Sequence, residues 1–258
     1  MSSSARPVKS VLPDSRHFEE EIWEALDPFL FPPKAFKNAC KEIAAIVKKT
    51  GLKEGRVLDL ACGPGRHSIP LAKNGLHVTG VDRSSFLLGK ARDYAFCEGV
   101  GVEFIQEDMR YFSRQDSYDL ALSLYSSFGY FDDPADNQKV LNCTYDNLKK
   151  GGAFFIDLPG REVLARNFKN SVRKRVQKLG QITEYRTIYS EWKRLGLNWR
   201  FYQDEQLRDY SFSLWLYSGD EIKEMLTKAG FAAVTLYGDF ALKAYDERAK
   251  QLIAFAVK

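Results

Sequence analysis

Apolar positions along the chain follow two periods, and the switches between them lay out the architecture. Phe18, Ile22 and Leu26 recur at helical spacing through FEEEIWEALDPFL, with Pro28 near its end. After Pro32-Pro33, the positions Ala39, Ile43, Ile46 and Val47 mark a second helix from Lys34 to Thr50, which Gly51 stops. A short buried strand follows at Val57, Leu58, Leu60 and Ala61. It breaks at Gly63-Pro64-Gly65, and helical spacing resumes at Ile69, Leu71 and Ala72. The same alternation repeats through the strand His77–Val81, a helix from Ser84 to Glu98 capped by Ser84 or Ser85, a third strand within Val102–Met109 that ends in a carboxylate, a strand at Ser117–Leu124, and a turn and strand over Leu148–Asp157. Strand, helix, strand in this order predicts parallel βαβ units.

Beyond Asp157-Leu158-Pro159-Gly160 a helix is expected at about Glu162 to Phe168, and then the period falls to two. Arg173 to Leu179, Gln181 to Ser190, Leu197 to Gln203 and Leu207 to Tyr217 favour β structure, with turns at Gly180, Gly196 and Asp204-Glu205. Tyr210, Phe212, Leu214 and Leu216 share one face, and Ser211, Ser213, Trp215 and Tyr217 the other. This predicts an antiparallel insertion of three or four strands. Ser218-Gly219-Asp220-Glu221 then caps a helix from Ile222 to Ala229, Gly230 ends it, and Phe231–Tyr237 and Gln251–Val257 form a closing strand pair.

The most informative stretch is Arg56 to His67, RVLDLACGPGRH. Glycine at 63 and 65 opens backbone conformations closed to other residues and removes the Cβ atoms that would hold a ligand off the main chain. A dinucleotide-binding turn wants a third glycine, and Ser68 stands at that position. Asp59 at the end of the strand would face the phosphates of a dinucleotide, which is unfavourable, but suits a cofactor bearing an ammonium and a sulfonium. The run Asp59-Leu60-Ala61-Cys62-Gly63-Pro64-Gly65 resembles the first motif of the class I S-adenosylmethionine-dependent methyltransferases, of the small-molecule type.

The resemblance continues in order over about residues 56–158. Asp82, closing the strand His77–Val81, stands where the family has its ribose-binding acid, with Arg83 beside it. Asp108 and Met109 resemble the adenine-binding segment, Asp108 taking the exocyclic amine and the Met109 amide a ring nitrogen. Ser117–Leu124 is similar to the fourth strand, and Leu148–Asp157 to the L-x-x-G-G turn and fifth strand. The resemblance implies an α/β, Rossmann-like fold: a seven-stranded, mostly parallel sheet with helices on both faces and a last strand that runs antiparallel. It implies S-adenosylmethionine as cofactor and S-adenosylhomocysteine as product, held by Asp59, Ala61, Cys62, Gly63, Gly65, Asp82, Arg83, Asp108, Met109 and Leu124. Residues 1–14 read as a disordered leader and 15–51 as an N-terminal helical lid in which Phe29, Leu30 and Phe31 would matter. Residues 52–160 form the cofactor-binding core, 161–217 a helix plus an antiparallel roof over the active site, and 218–258 the C-terminal part of the core.

The segment Tyr125 to Pro134 follows a parallel strand's carboxyl end, where ligands of open α/β sheets bind. Substrate contacts are expected from Tyr125, Phe128 and Tyr130, and from Trp215 and Tyr217 on the roof. Methyl transfer from a sulfonium needs the nucleophile held in line and away from water, with a base only when the acceptor is a hydroxyl or a carbon acid. Tyr130, Tyr125 and Asp157 are the candidate catalytic groups, with Tyr217 a further one by position, and no single residue is singled out. The Asp/Asn-Pro-Pro-aromatic motif of nucleic-acid amino methylation is absent: Leu124-Tyr125-Ser126-Ser127 stands there. No cysteine follows a proline, as a cytosine-carbon enzyme would need.

Composition changes the picture in two places. Cys40, Cys62, Cys97 and Cys143 form no C-x-x-C pair, and the three histidines are dispersed. Neither a disulfide framework nor a metal site is expected, and the cell compartment expected is the cytoplasm. No apolar run has the length of a membrane span, and a monomer or homodimer is expected. The net charge of +4 is uneven, with eleven basic and three acidic residues between Arg161 and Arg200. That block keeps an RNA substrate as the rival to a small molecule. A nicotinamide-dependent oxidoreductase, with Arg83 meeting a 2′-phosphate, and a non-catalytic binding module are the other rivals.

Overall fold

The computed structural model describes residues 20–176, 180–203 and 205–258. The expected leader, residues 1–14, lies outside them, as do Phe18 and part of the expected roof turns.

Seven strands form the main sheet: β1 (Arg56–Leu60), β2 (His77–Asp82), β3 (Glu103–Gln106), β4 (Tyr118–Ser123), β5 (Leu148–Leu158), and the closing pair described below. β1 pairs in parallel with β2 and β4, β2 with β3, and β4 with β5. The strand Leu252–Val257 runs antiparallel to β5 and to Ala233–Tyr237, so a single strand is reversed in the sheet. Helices cover both faces, and the central strands β1 and β4 are accordingly buried on both sides. On one face α5 (Pro134–Asn147) and the helix Gly219–Ala229 pack Val140, Leu141, Ile222 and Leu226 against Leu58, Phe154 and Ile156. On the other, α2 (Pro33–Thr50) and α3 (Ser68–Lys73) bring Ile43, Ile46 and Leu71 onto Val57, Leu120 and Phe155. α2 is therefore a layer helix of the core, capped by left-handed Gly51.

α1 (Glu20–Leu30) behaves differently. Its Ile22 and Leu26 pack against a second sheet. That sheet consists of β6 (Ser171–Val176), β7 (Gly180–Tyr189), β8 (Arg194–Gln203) and β9 (Gln206–Trp215), antiparallel in the order β6-β7-β8-β9. It follows α6 (Arg161–Arg166), as expected, and holds four strands. The expected turn at Gly196 is corrected. Gly196 sits within β8, opposite Thr187 and Ser213, and a Cβ there would lie 2.6 Å from the Tyr189 ring. The chain turns instead at Ser190, Glu191 and Trp192, three successive residues with positive φ. The remaining core elements are α4 (Ser85–Cys97), whose N-cap Ser84 accepts from the Leu87 amide, and α7 (Gly219–Ala229), closed by a Ser218–Glu221 capping box. β10 (Ala233–Tyr237) and β11 (Leu252–Val257) complete the sheet. Among the described residues no helix is long and apolar enough to cross a membrane.

Candidate active site

The carboxyl ends of β1, β2, β3 and β4 open into a cavity of about 440 Å³, closed from above by α1 and the antiparallel sheet. Ala61, Cys62 and Gly63 line it after β1, Asp82 and Arg83 after β2, Asp108 and Met109 after β3, and Leu124 and Tyr125 after β4. Parallel register brings these segments together, since each parallel strand delivers its following loop to the same edge.

Gly63 adopts a φ of 54° and donates its amide to Asp82 Oδ2 at 2.8 Å, while Ser84 donates its amide to Asp82 Oδ1 at 2.9 Å. Burial pushes the Asp82 carboxyl up to about 6 against those two amides, which lower it. Each carboxylate oxygen keeps room for a further donor. Burial also pushes the Cys62 thiol up, reinforced by the charges of Asp82 and Asp59. Cys62 therefore offers no thiolate. At the outer end, burial raises the Asp108 carboxyl, but hydrogen bonds from Arg110 and the charges of Arg110 and Arg83 outweigh it and hold it below the usual carboxylate range. Arg110 grips Asp108 at 2.7 Å and reaches Asp136 at 2.6 Å. Asp108 thus meets any ligand already paired.

Two expected cofactor residues stand elsewhere. Asp59 is 1% exposed and accepts a hydrogen bond of 2.5 Å from the Ser68 hydroxyl. It does not line the cavity: its carboxylate turns behind the glycine turn to anchor the start of α3, with Arg66 and His67 near by. Gly65 is a packing position. A Cβ there would meet the Phe104 ring at 3.2 Å and Ala91 at 3.3 Å, so the turn lies directly on β3 and α4.

The far half of the cavity is built by the roof. Tyr125 and Tyr130 line it. Tyr125 has a φ of 66°, and the Arg66 guanidinium lies 3.6 Å from its ring centre. Burial, with the charge of Glu184, raises the Tyr130 phenol and keeps it in the form that donates a hydrogen bond. Asp157 accepts the Tyr125 amide, and burial pushes its carboxyl up to about 6 against that amide and His67. Asp157 is placed beneath the loop instead of in the cavity wall.

Phe128, Trp215 and Tyr217, expected as substrate contacts, are turned away from the cavity. Phe128 is fully buried in the core, its ring 5.6 Å from that of Tyr217. Trp215 donates Nε1 to the Phe131 carbonyl at 2.9 Å and its amide to Gly129 at 2.8 Å. The physical reason is shared. An aromatic loop next to a sheet edge buries part of its own apolar surface to hold its shape, and these three side chains tie the loop to the end of β9.

The sequence reading missed Trp23 on α1, Arg66 and His67 after the glycine turn, and Glu184, Arg186 and Trp199 on the roof, all of which line the cavity. For the roof pair the signal was present: in Ile182-Thr183-Glu184-Tyr185-Arg186-Thr187-Ile188 the two charges are in phase with the apolar isoleucines. Leu30 and Phe31 line the cavity from α1 and its end. A Cβ on Gly63 would touch the Phe31 ring at 3.4 Å, so the gap over the turn is one side chain deep.

Comparison with known proteins agrees with this layout. Residues 57–152 match a family model described as a methyltransferase domain. A glycine/sarcosine N-methyltransferase of Aphanothece halophytica is 29% identical over 197 residues, covering 75% of this chain and 72% of the relative. The CcbJ methyltransferase of Streptomyces caelestis superposes with a TM-score of 0.79 at 17% identity, over 95% of this chain and 98% of its own. CalS10 of Micromonospora echinaspora, an amino pentose methyltransferase solved with S-adenosylmethionine bound, gives a TM-score of 0.66 at 18% identity, over 92% and 96%.

Proposed function

We propose that this chain is a class I S-adenosylmethionine-dependent methyltransferase, a reading that the methyltransferase-domain match over residues 57–152 supports, and that it transfers the methyl group to an O, N or C atom of a small molecule held between the sheet edge and the roof. S-Adenosylmethionine supplies a methyl group on a sulfonium, so the protein's task is binding, alignment and exclusion of water.

The residues of the lower half fit that cofactor. Asp82, Glu107 and Asp108 give the cavity an acidic rim, which disfavours the pyrophosphate of a dinucleotide and accepts ribose hydroxyls and an amine. Asp82 takes the ribose hydroxyls, Gly63 lets the backbone approach, and Asp108 with Met109 borders the adenine end. Arg83, Ala61, Cys62 and Leu124 complete the walls. In the acceptor half Tyr130 donates a hydrogen bond, Tyr125 borders the reacting centre, and α1 with Leu30 and Phe31 forms the lid that excludes water. This division makes 15–51 only partly lid, since α2 belongs to the core.

The observation that carries the small-molecule reading is continuity: one cavity joins the glycine turn to an apolar wall of the second sheet. Part of the basic block of residues 161–200 is paired within the chain, while Arg173, Lys174 and Arg175 on β6 stay exposed. Arg161 pairs with Glu221 at 2.6 Å, Arg200 with Asp209 at 2.7 Å, and Arg166 bonds the Ala249 carbonyl at 2.8 Å.

Calorimetric titration with S-adenosylmethionine, S-adenosylhomocysteine and NADPH tests the cofactor. Saturable binding of the first two and none of the third is expected. A salt-sensitive shift of RNA in a gel would overturn the small-molecule reading in favour of the rival.

A further inference from the structure

Along β7 the side chains of Ile182, Glu184, Arg186 and Ile188 share one side of the strand. Ile182 and Ile188 join the apolar cluster between the roof and α1. Glu184 and Arg186, between them, line the cavity. Glu184 is 7% exposed and its neighbours on that wall are Leu195, Leu197, Trp199 and Leu214. Its two oxygens are held separately: Trp199 donates Nε1 to Oε2 at 2.9 Å, and Arg186 donates Nε to Oε1.

A carboxylate in such a wall is costly to desolvate, and apolar residues of similar volume at the two charged positions would stabilise the fold at least as well. An ionised carboxylate also has about four acceptor sites, so the two donors fix its orientation without using its capacity. What remains is a rigid acceptor set in an apolar surface and opening on the cavity.

We propose that Glu184 is the recognition carboxylate for the methyl acceptor, taking a hydrogen bond from an N–H or O–H group on a molecule whose body is apolar and packs on Leu195, Leu197 and Leu214. The inference rests on the methyltransferase reading above and adds the chemistry of the acceptor to it. Amines and hydroxyls share the donor that Glu184 requires. An analogue without a donor would bury the carboxylate with one partner missing, the arrangement that sites of this kind reject most strongly.

The test uses the full chain with methyl-tritiated S-adenosylmethionine and a panel of phenethylamine, cyclohexylmethylamine, 2-phenylethanol and 4-ethylphenol. Transfer to at least one of them is expected, and the arm that is labelled separates N–H from O–H acceptors. With that acceptor Glu184→Gln, which keeps the volume and an acceptor for Trp199, should lose about tenfold to a hundredfold in kcat/KM, the loss of one charge-assisted hydrogen bond. Glu184→Asp should fall between the two. The affinity of both variants for S-adenosylhomocysteine should stay at the wild-type value, whereas the thermal midpoint of Glu184→Gln should fall because Arg186 loses its charged partner. Wild-type activity in Glu184→Gln, or no transfer to any panel member by protein that binds S-adenosylhomocysteine, would overturn the proposal. Failure of wild-type protein to bind S-adenosylhomocysteine would overturn the cofactor reading beneath it as well.

Discussion

The Gly63 amide and the Asp82 carboxylate, 2.8 Å apart, join the turn after β1 to the end of β2. One residue therefore shapes the glycine turn and presents an acceptor to the cavity. Replacing Asp82 by Ala removes both functions but leaves the apolar core untouched. Affinity for S-adenosylhomocysteine should fall at least about thirtyfold, the equivalent of one or two charge-assisted hydrogen bonds. The circular dichroism spectrum should stay native. Unchanged affinity by calorimetry would remove Asp82 from the site.

The same carboxyl predicts a pH dependence. Burial lifts it from the ordinary aspartate range to about 6. The folded protein without ligand therefore favours the protonated form relative to the unfolded chain, and Asp82 contributes less to stability as pH rises from about 4 through 6. Ligand hydroxyls need the ionised form, so binding has the opposite trend. The affinity for S-adenosylhomocysteine should rise about tenfold from pH 5 to pH 7 and then level off. Asp82→Asn should flatten the curve. A slope that persists in that variant would assign the titration to another group, with Asp157, also raised to about 6, the first to examine.

Gly65 separates packing from binding. It has a φ of 76°, and a methyl there would crowd Phe104 at 3.2 Å and Ala91 at 3.3 Å. Gly65→Ala should cost about 1–3 kcal/mol in strain and overpacking, read as a lowered thermal midpoint. Protein that remains folded should bind S-adenosylhomocysteine within about threefold of wild type, since a factor of three is well under 1 kcal/mol. Gly63→Ala should show the reverse emphasis, with affinity lost before stability, because its Cβ would project toward Phe31 across the cavity. Equal loss of affinity in both variants would return Gly65 to the binding surface.

How much of this was legible in the sequence follows from which forces are local. The parallel core could be read because each strand and helix carries its own period, cap and stop: Gly51 ending α2, Ser84 opening α4 and the Ser218–Glu221 box opening α7 are all signals within a few residues. Roles for Asp82 and Gly63 were implied by the resemblance to the methyltransferase motifs, and parallel register sends the two loops that carry them to one edge. Where a side chain points after the strand ends is decided by long-range partners. Asp59 turns to Ser68, Phe128 to Tyr217 and Trp215 to Phe131, and none of these pairings has a period. Gly196 misled for a related reason. A glycine among β-formers reads as a turn, but here it makes room for the Tyr189 ring on the neighbouring strand.

That relation between Gly196 and Tyr189 can be measured. Gly196→Ala should destabilise the protein by about 1–2 kcal/mol, since the added Cβ forces the ring away. In a Tyr189→Ala background the same substitution should cost almost nothing, or stabilise slightly by reducing the freedom of the unfolded chain. A double-mutant cycle by urea unfolding gives the coupling directly. Additive effects would mean that the glycine is required by the backbone and not by the ring.

The loop after β4 carries the last prediction. Tyr125 and Ser126 both have positive φ, at 66° and 58°. Non-glycine residues in that region cost on the order of 1 kcal/mol or more each and persist only where the surroundings enforce them. Three contacts do so here: Asp157 accepts the Tyr125 amide, Arg66 lies on the Tyr125 ring, and the Ser127 hydroxyl bonds the Leu124 carbonyl at 2.9 Å. Asp157 is the only one of these that is an acidic group fixed in the core sheet, in β5. Asp157→Ala should therefore release the loop without unfolding β5, which stays paired through its backbone with β4 and β11, although the bond from Gln251 to the carboxylate is lost as well. Amide hydrogen exchange over residues 124–131 should accelerate at least about tenfold, a little over 1 kcal/mol of local stability, while exchange in β1 and β4 stays unchanged. Asp157→Asn, which keeps an acceptor oxygen, should hold the loop as in the wild type. Wild-type exchange in Asp157→Ala would show that Arg66 and the ties to β9 alone impose the strained turn, and that Asp157 has no part in shaping the acceptor side of the cavity.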